Sequence, residues 1–398
     1  MPSRNRERRR IGLALSGGGV RAAAFHAGVL RWLAEHGRME EVEHVSTVSG
    51  GSLFIGLVFH FSGYLWPSST QYHEIVLPRI RQILTSKSLQ CDALFRLIFI
   101  PCNWRFILSR ANVVSKSIER CWGIDAKLSD LSPTPVWTIN GTTAENGRRF
   151  RFKNRTMGDY KLGYADAADF KLADAMAVSA AFPVGIGPLK IDTRKRPWYS
   201  RDSRLHVSSE ESYKLKFGFL HLYDGGVYDN LGLEPLFDMG KQRFKNDEQS
   251  PLIDAVIVSD AASPFSECPI PGPLHPGRLV RVVRVAFDQT RALRVRSFVT
   301  FLQNSPFSGM YLQIGSDPRK KLATYSQNDH FGYYDWMGSD MILKAVSYKT
   351  TLSRMSMEYF DLIERHGYET ALWNDLAFDC LQMKAPGEGE SMPAGIVS

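Results

Sequence analysis

Ile11-Gly-Leu-Ala-Leu15-Ser16-Gly17-Gly18-Gly19-Val20-Arg21 is the stretch whose reading decides the fold. Five apolar residues followed by a serine and three glycines read as a short buried strand running into a tight turn. Beyond the turn, Ala24, Ala27, Leu30 and Leu33 recur at helical spacing, so Arg21 to Glu35 is predicted to be a helix with Gly37 as its stop. His44 to Val48 reads as a second strand, Gly50-Gly51 breaks it, and Ser52 to Phe61 reads as a second helix. Two strand–turn–helix units in succession predict a parallel sheet covered by helices. Further on, residues 72–122 read mostly as helix, and Val136 to Asn140 and Arg149 to Phe152 as strands around the turn Glu145-Asn-Gly147. Leu172 to Ala181 reads as a short helix ended by Pro183, and Arg194 to Glu211 as a polar exposed loop. Phe217 to Tyr223 and Ile253 to Ser259 read as strands, Met341 to Arg365 as one long helix, and the tail from Pro386 as frayed.

Composition narrows the class. Of 398 residues, 44% are hydrophobic and 23% charged, which excludes a mostly disordered or collagen-like chain. The net charge of +8 favours anionic partners without choosing among them. The five cysteines, Cys91, Cys102, Cys121, Cys268 and Cys380, show no C-x-x-C spacing, so neither a zinc site nor a disulfide framework is expected, and a reducing compartment fits. The first ten residues are basic, but only Ile11 to Leu15 follow before the glycines, too few for a secretory leader. The oily stretches Leu53 to Trp66 and Leu94 to Leu108 are interrupted by polar residues and fall short of a membrane span.

Three motifs carry chemistry. Ser16 to Arg21 lies between a strand and a helix, where consecutive N–H groups can hold an anion: a bound phosphate or a developing oxyanion. Gly17-x-Gly19-x-x-Ala22 also fits the loose dinucleotide pattern, but that reading needs an acid ending the second strand, where Val48-Ser49 stand instead. Ser46-Thr47-Val48-Ser49-Gly50-Gly51-Ser52 has the strand-to-helix context of a nucleophile elbow, with Thr47 where the usual pattern has a glycine. The ordinary alternative is a serine helix cap. Asp224-Gly225-Gly226 follows a strand and can present a carboxylate as a general base. Its alternative is an Asp-Gly turn, with Asp229 and Asn230 as plain caps.

Taken in this order, the three motifs resemble the patatin-like phospholipases. Gly17-Gly18-Gly19-Val20-Arg21 matches the family's G-G-G-x-R loop, Val48-Ser49-Gly50-Gly51 its elbow, and Asp224-Gly225-Gly226 its late D-G-G. Ala177-Val-Ser-Ala-Ala-Phe-Pro183 is similar to the small-residue helix end that stands between them. The resemblance covers about Ile11 to Leu236, and Thr47 is its one departure. It implies a three-layer α/β/α sandwich around a mostly parallel sheet, a Ser49–Asp224 dyad without histidine, and an oxyanion hole from the N–H groups of Gly17, Gly18 and Gly19. Arg21 is expected to anchor that loop or to contact a lipid phosphate. His26 and His221, nearest the motifs in sequence, are expected to be packing or surface residues.

The implied activity is acyl-ester hydrolysis of a phospholipid or similar lipid with no cofactor and no metal. An acyltransferase using the same dyad and a non-catalytic lipid-binding protein are the alternatives. Nucleic acid is not an expected partner, and the expected location is cytoplasmic. Reversible docking on a membrane surface is expected through the basic N-terminus and through Leu94 to Leu108, unless the latter is a buried cap. The expected organisation is a basic segment 1–10, a catalytic core 11–238, a continuation of the same domain 239–383, and a disordered tail 384–398.

Overall fold

Alternation along two central strands explains the layering. In β1 (Ile11–Leu15), Ile11, Leu13 and Leu15 enter one buried cluster while Ala14 enters another. A strand points successive side chains to opposite faces, so apolar residues at every position need cover on both sides. The strand Ala255–Asp260 repeats this, with Ala255 and Ile257 in the first cluster and Val256 and Val258 in the second. The structure is a computed structural model. It describes residues 8–183, 185–200, 212–246, 251–264, 267, 269–272, 274, 275, 277–325, 335–378 and 380.

The remaining strands are β2 (Val42–Thr47), β3 (Val136–Thr143), β4 (Arg149–Lys153), β5 (Thr156–Asp159), β6 (Gly163–Asp166), β7 (Leu189–Asp192), β8 (Phe219–Asp224), the pair β9 (Phe237–Asp238) and β10 (Arg243–Phe244), β11 (Ala255–Asp260) and β12 (Gly309–Gln313). Apart from the β9–β10 pair they form one sheet. The run β12-β11-β1-β2-β3 is parallel throughout, and β4, β5 and β6 extend it as an antiparallel meander. Helices Gly19–Glu35, Gly50–Phe61 and Met357–Phe378 cover the first face. Phe298 and Phe301 of helix Gly277–Asn304, with Leu231 to Phe237, cover the second.

Helix Met357–Phe378 crosses Gly19–Glu35 at two glycines. A Cβ on Gly28 would stand 1.8 Å from the Glu364 carbonyl, and one on Gly367 would stand 2.0 Å from that of Phe25. Only glycine permits backbones to approach so closely. A chain segment without a recognisable motif thus packs on the helix that begins at the glycine-rich turn.

The single helix expected over Met341 to Arg365 is two, Ser339–Ser347 and Met357–Phe378. The intervening carbonyls are used elsewhere: Tyr348 O accepts from Arg21, Thr351 O from Val20 N–H and Leu352 O from Gln90 N–H. Continuing the helix would withdraw them. Helix Gly277–Asn304 and strands β5, β6 and β12 were not anticipated from the sequence. Arg4 and Arg6 of the basic terminus, residues 201–211 of the polar loop and the tail 384–398 lie outside the described residues. Among the described residues no helix is long and apolar enough to cross a membrane.

Candidate active site

The registers of the sheet bring the motifs together. Gly141 of β3 pairs with Phe150 of β4 on one edge and with Asp224 of β8 on the other. That second edge belongs to β2 until Thr47, which pairs with Ile139. Because β2 runs parallel to β3 and β8 antiparallel, β2 and β8 point their carboxyl ends at each other. Ser49 lies just past one end and Asp224 at the other. Leu15, last in β1, pairs with Thr47, which sets the glycine turn beside both.

Ser49 sits at φ 49° and ψ −116°, immediately before helix Gly50–Phe61. A non-glycine residue in that region carries a strain of about 1–3 kcal/mol and persists only where its surroundings hold it. They do so here through glycines. A Cβ on Gly50 would lie 2.3 Å from the Gly19 carbonyl, and one on Gly51 2.5 Å from that of Leu15. Gly17 faces Ser49 directly, since a Cβ on it would be 3.1 Å from the Ser49 Cβ. The Ser49 N–H donates to Ser179 Oγ at 3.0 Å. Ser179 Oγ bonds Ser52 Oγ at 2.8 Å, Ser52 Oγ bonds Thr47 Oγ1 at 2.7 Å, and Trp137 Nε1 donates to Thr47 Oγ1 at 2.9 Å. Thr47 therefore fits as the extended end of β2, its hydroxyl absorbed in a buried chain. The unusual backbone falls at Ser49, so the missing first glycine of the elbow leaves the turn intact.

Asp224 is 3% exposed. Its Oδ1 accepts the Gly226 N–H at 2.7 Å, and the Ser49 side chain stands near enough to favour its ionised form. Its own N–H donates to Ala181 O, its carbonyl accepts from Thr142 Oγ1, and Gly225 rests against the Asn140 backbone. Burial outweighs the Gly226 N–H and the Ser49 side chain and lifts the carboxyl to about 7.

The glycine loop divides its N–H groups. Gly17 N–H donates to the Asn230 carbonyl at 3.1 Å, and Val20 N–H to Thr351 O at 3.0 Å. The N–H groups of Gly18, at φ 145°, and Gly19, at φ 62°, stand at the unpaired start of a helix. So does that of Gly50, which opens the helix behind Ser49. Arg21 is 1% exposed, with its guanidinium on the Ala261 and Tyr348 carbonyls. The loop-anchor reading fits this geometry, and the phosphate contact does not. His26 is held between Ser259 Oγ and Ser16 O and is pushed down to about 4 by burial, while His221 pairs with Glu145. Neither touches the Ser49–Asp224 pair.

The sequence profile of one family, described as patatin-like phospholipase, matches residues 13–237, more than half of the chain. The chain belongs to the patatin-like phospholipase family. No curated protein sequence matches it. Among solved structures it is similar to human GIVD cytosolic phospholipase A2, with a TM-score of 0.53 and 13% identity over 94% of this chain and 60% of that one. The same human enzyme in complex with methyl gamma-linolenyl fluorophosphonate gives 0.50 and 14%, over 94% and 58%. At such identity the likeness is one of fold. In this patatin-like chain sequence reasoning missed Ser179 and Asn140, and it weighed Asn230 only as a plain cap. Only Ser179 carried a signal, inside Ala177 to Pro183. Among the described residues no group of His, Cys, Asp and Glu is arranged to hold a metal ion.

Proposed function

We propose that this protein is a serine lipid acyl hydrolase in which Ser49 is the nucleophile and Asp224 the general base. The observation that carries the reading is the meeting of the ends of β2 and β8, which sets the strained Ser49 beside the buried Asp224 carboxyl, itself held near 7. Such a group is half ionised at neutral pH and can both take and return a proton. Ser49 Oγ bonds the ester carbonyl carbon while its proton passes to Asp224. The oxyanion is stabilised by N–H groups of Gly18, Gly19 and Gly50, each donor worth about 100–1000-fold in rate. Gly17, whose N–H is engaged, contributes the space that Ser49 needs. The carbon–oxygen bond to the alcohol breaks as Asp224 protonates the leaving oxygen, giving an acyl-enzyme. Water then attacks, Asp224 takes its proton, and fatty acid leaves as Ser49 recovers its hydrogen.

The substrate side is apolar. Phe182 packs on Phe287, whose ring edge lies against Gly226 beside Asp224. Helix Leu89–Phe99 and the turns to Leu108 leave Leu94, Phe95, Ile98, Phe99, Trp104 and Leu108 outside the core, Phe99 at 66% and Trp104 at 59% exposure. The buried-cap alternative for this segment does not match that exposure. Both its ends touch loops of the site. Gln90 N–H donates to Leu352 O next to Thr351, and the Leu108 carbonyl packs on Gly187, six residues past Ala181. With Arg105 and Arg110 exposed beside it, this face suits an anionic lipid surface. Incubation with a fatty-acyl fluorophosphonate followed by peptide mass mapping tests the reading, beside mass analysis of products from mixed phospholipids. An adduct on Ser49, absent in Ser49→Ala, and release of free fatty acid are expected. A folded protein that gives neither would refute it.

A further inference from the structure

Strand β4 reads Arg149-Phe-Arg-Phe-Lys153. Phe150 and Phe152 enter the first-face core, so Arg149, Arg151 and Lys153 all project from the second face. Cations on one side of a strand are ordinary where that side meets water. Here the side is roofed: the β9–β10 hairpin, with Lys241 and Arg243, closes over it and leaves a cavity of about 820 Å3. That is the size of a small-molecule site. His44 lies on its floor and is pushed down to about 3, by burial first and then by Lys153, Arg149 and Arg151.

The carboxylates of the lining are committed elsewhere. Glu234 pairs with Lys245 at 2.8 Å, Asp159 accepts the N–H groups of Lys161 and Leu162, and Asp238 those of Gly240 and Lys241. Among the described residues, Arg149 and Arg151 have no carboxylate at ion-pair distance, and the Arg151 Nε is buried without a hydrogen-bond partner. Arg149 spends one N–H on Asn140 Oδ1. Both arginines are half-buried, with the Arg151 guanidinium over the Tyr164 ring, and a guanidinium partly removed from water without an anion is unfavourable, while its planar fork of donors matches phosphate oxygens.

We propose that this cavity binds a phosphate-bearing anion, with Arg149, Arg151 and Lys153 on its floor and Lys241 and Arg243 on its rim. It is separate from the Ser49–Asp224 pair. The exposed apolar segment packs through helix Ala111–Cys121 on the first face, whereas the cavity opens on the second. A bilayer met by the apolar face is therefore not the natural source of the ligand, which favours an anion free in solution over a lipid headgroup.

Calorimetric titration with pyrophosphate and with inositol hexakisphosphate, run beside co-sedimentation with phosphatidic acid vesicles, tests the site and distinguishes the two sources. The variant is Arg151→Gln with Arg243→Gln, which spares Arg149 because of its bond to Asn140. Lys87→Gln, an exposed cation away from the cavity, is the charge control. Saturable binding of a soluble anion, weakened at least about tenfold in the double variant and unchanged in the control, is expected, whereas vesicle binding that the double variant loses would identify a lipid headgroup as the source. Turnover of a soluble ester without added anion should stay at the wild-type level in the double variant, which shows that it is folded and keeps the test independent of the hydrolase assignment. No binding of either soluble anion at millimolar concentration, with vesicle binding the same in the double variant as in wild type, would overturn the proposal. So would binding of either soluble anion that the folded double variant retains in full.

Discussion

Replacing Asp224 by Asn and following both turnover and stability against pH tests the base from two directions. The carboxyl is buried, and the Gly226 N–H with the nearby Ser49 side chain fails to offset the loss of water, so it titrates near 7. The ionised fraction rises from about 9% at pH 6 to about 91% at pH 8, so kcat/KM for a soluble short-chain ester should rise about tenfold and then level off. Stability should move the other way. In the unfolded chain the group titrates at the ordinary 3.8, so between pH 3.8 and 7 the unfolded state releases a proton that the folded state keeps. The folded protein therefore loses stability as pH rises through that window, by roughly 4 kcal/mol in total, an order-of-magnitude figure. Below pH 3.8 both states are protonated and the difference vanishes. Asp224→Asn should abolish turnover at every pH. Its melting temperature should match wild type near pH 4 and exceed it increasingly up to pH 7. Stopped assays across pH 5 to 9 and melting curves at pH 4, 6 and 8 read both effects. A flat kcat/KM between pH 6 and 8, or an Asn variant that turns over ester normally, would refute the argument.

Four further outcomes follow from contacts in the site and on the surface. Gly50→Ala puts a methyl carbon 2.3 Å from the Gly19 carbonyl, backbone against backbone, so it should cost about 1–3 kcal/mol in a denaturant melt and remove measurable hydrolysis. Ser179→Ala leaves the Ser49 N–H without its acceptor. It should lower kcat about tenfold or more with little change in KM, since it disturbs the turn and not lipid binding. Phe99→Ser with Trp104→Ser replaces exposed side chains, so the melting curve should shift by no more than about 0.5 kcal/mol while co-sedimentation with anionic vesicles falls at both low and high salt. Substituting Arg105 and Arg110 by Gln should weaken vesicle binding only at low salt, because charge attraction is screened over about 8 Å at physiological ionic strength.

The parts of the fold that could be read in advance are those where side-chain pattern and local backbone agree. β1, its glycine turn, the first helix, β2 and the Ser49 turn each have their own apolar period or glycine signature, and all stand within a few residues of where the pattern puts them. Helix Gly277–Asn304 was illegible because its residues Arg278, Arg281, Arg284, Arg291 and Arg294 interrupt any apolar stripe, and only Phe298 and Phe301 of its apolar residues are buried. β12 was illegible for the opposite reason. Gly309-Met-Tyr-Leu-Gln313 is short, and its strand character comes from its parallel pairing with β11, which no local window contains.

Within the site the division is sharper, and it has a physical basis. The roles proposed for Ser49, Asp224 and the glycines rest on their own side chains or on the lack of one, so their identity is visible at their position. What fixes their geometry is largely backbone. Val20 N–H rests on Thr351 O, Arg21 on the carbonyls of Ala261 and Tyr348, Gly17 N–H on Asn230 O and Asp224 N–H on Ala181 O. A carbonyl is the same in every residue, so these acceptors leave no trace in the amino-acid alphabet and can be found only in three dimensions. This also accounts for the C-terminal third, which carries no recognisable motif. Its loop from Ser347 supplies carbonyls to the glycine turn, and its last helix holds the glycine-led helix through the crossing of Gly28 and Gly367. The strain at Ser49 and the buried charge site at Asp224 both destabilise the folded chain, so the segments that brace them must contribute stability in return. Sequence in those segments is then constrained by where the backbone passes and how closely it packs, and much less by which side chains it bears.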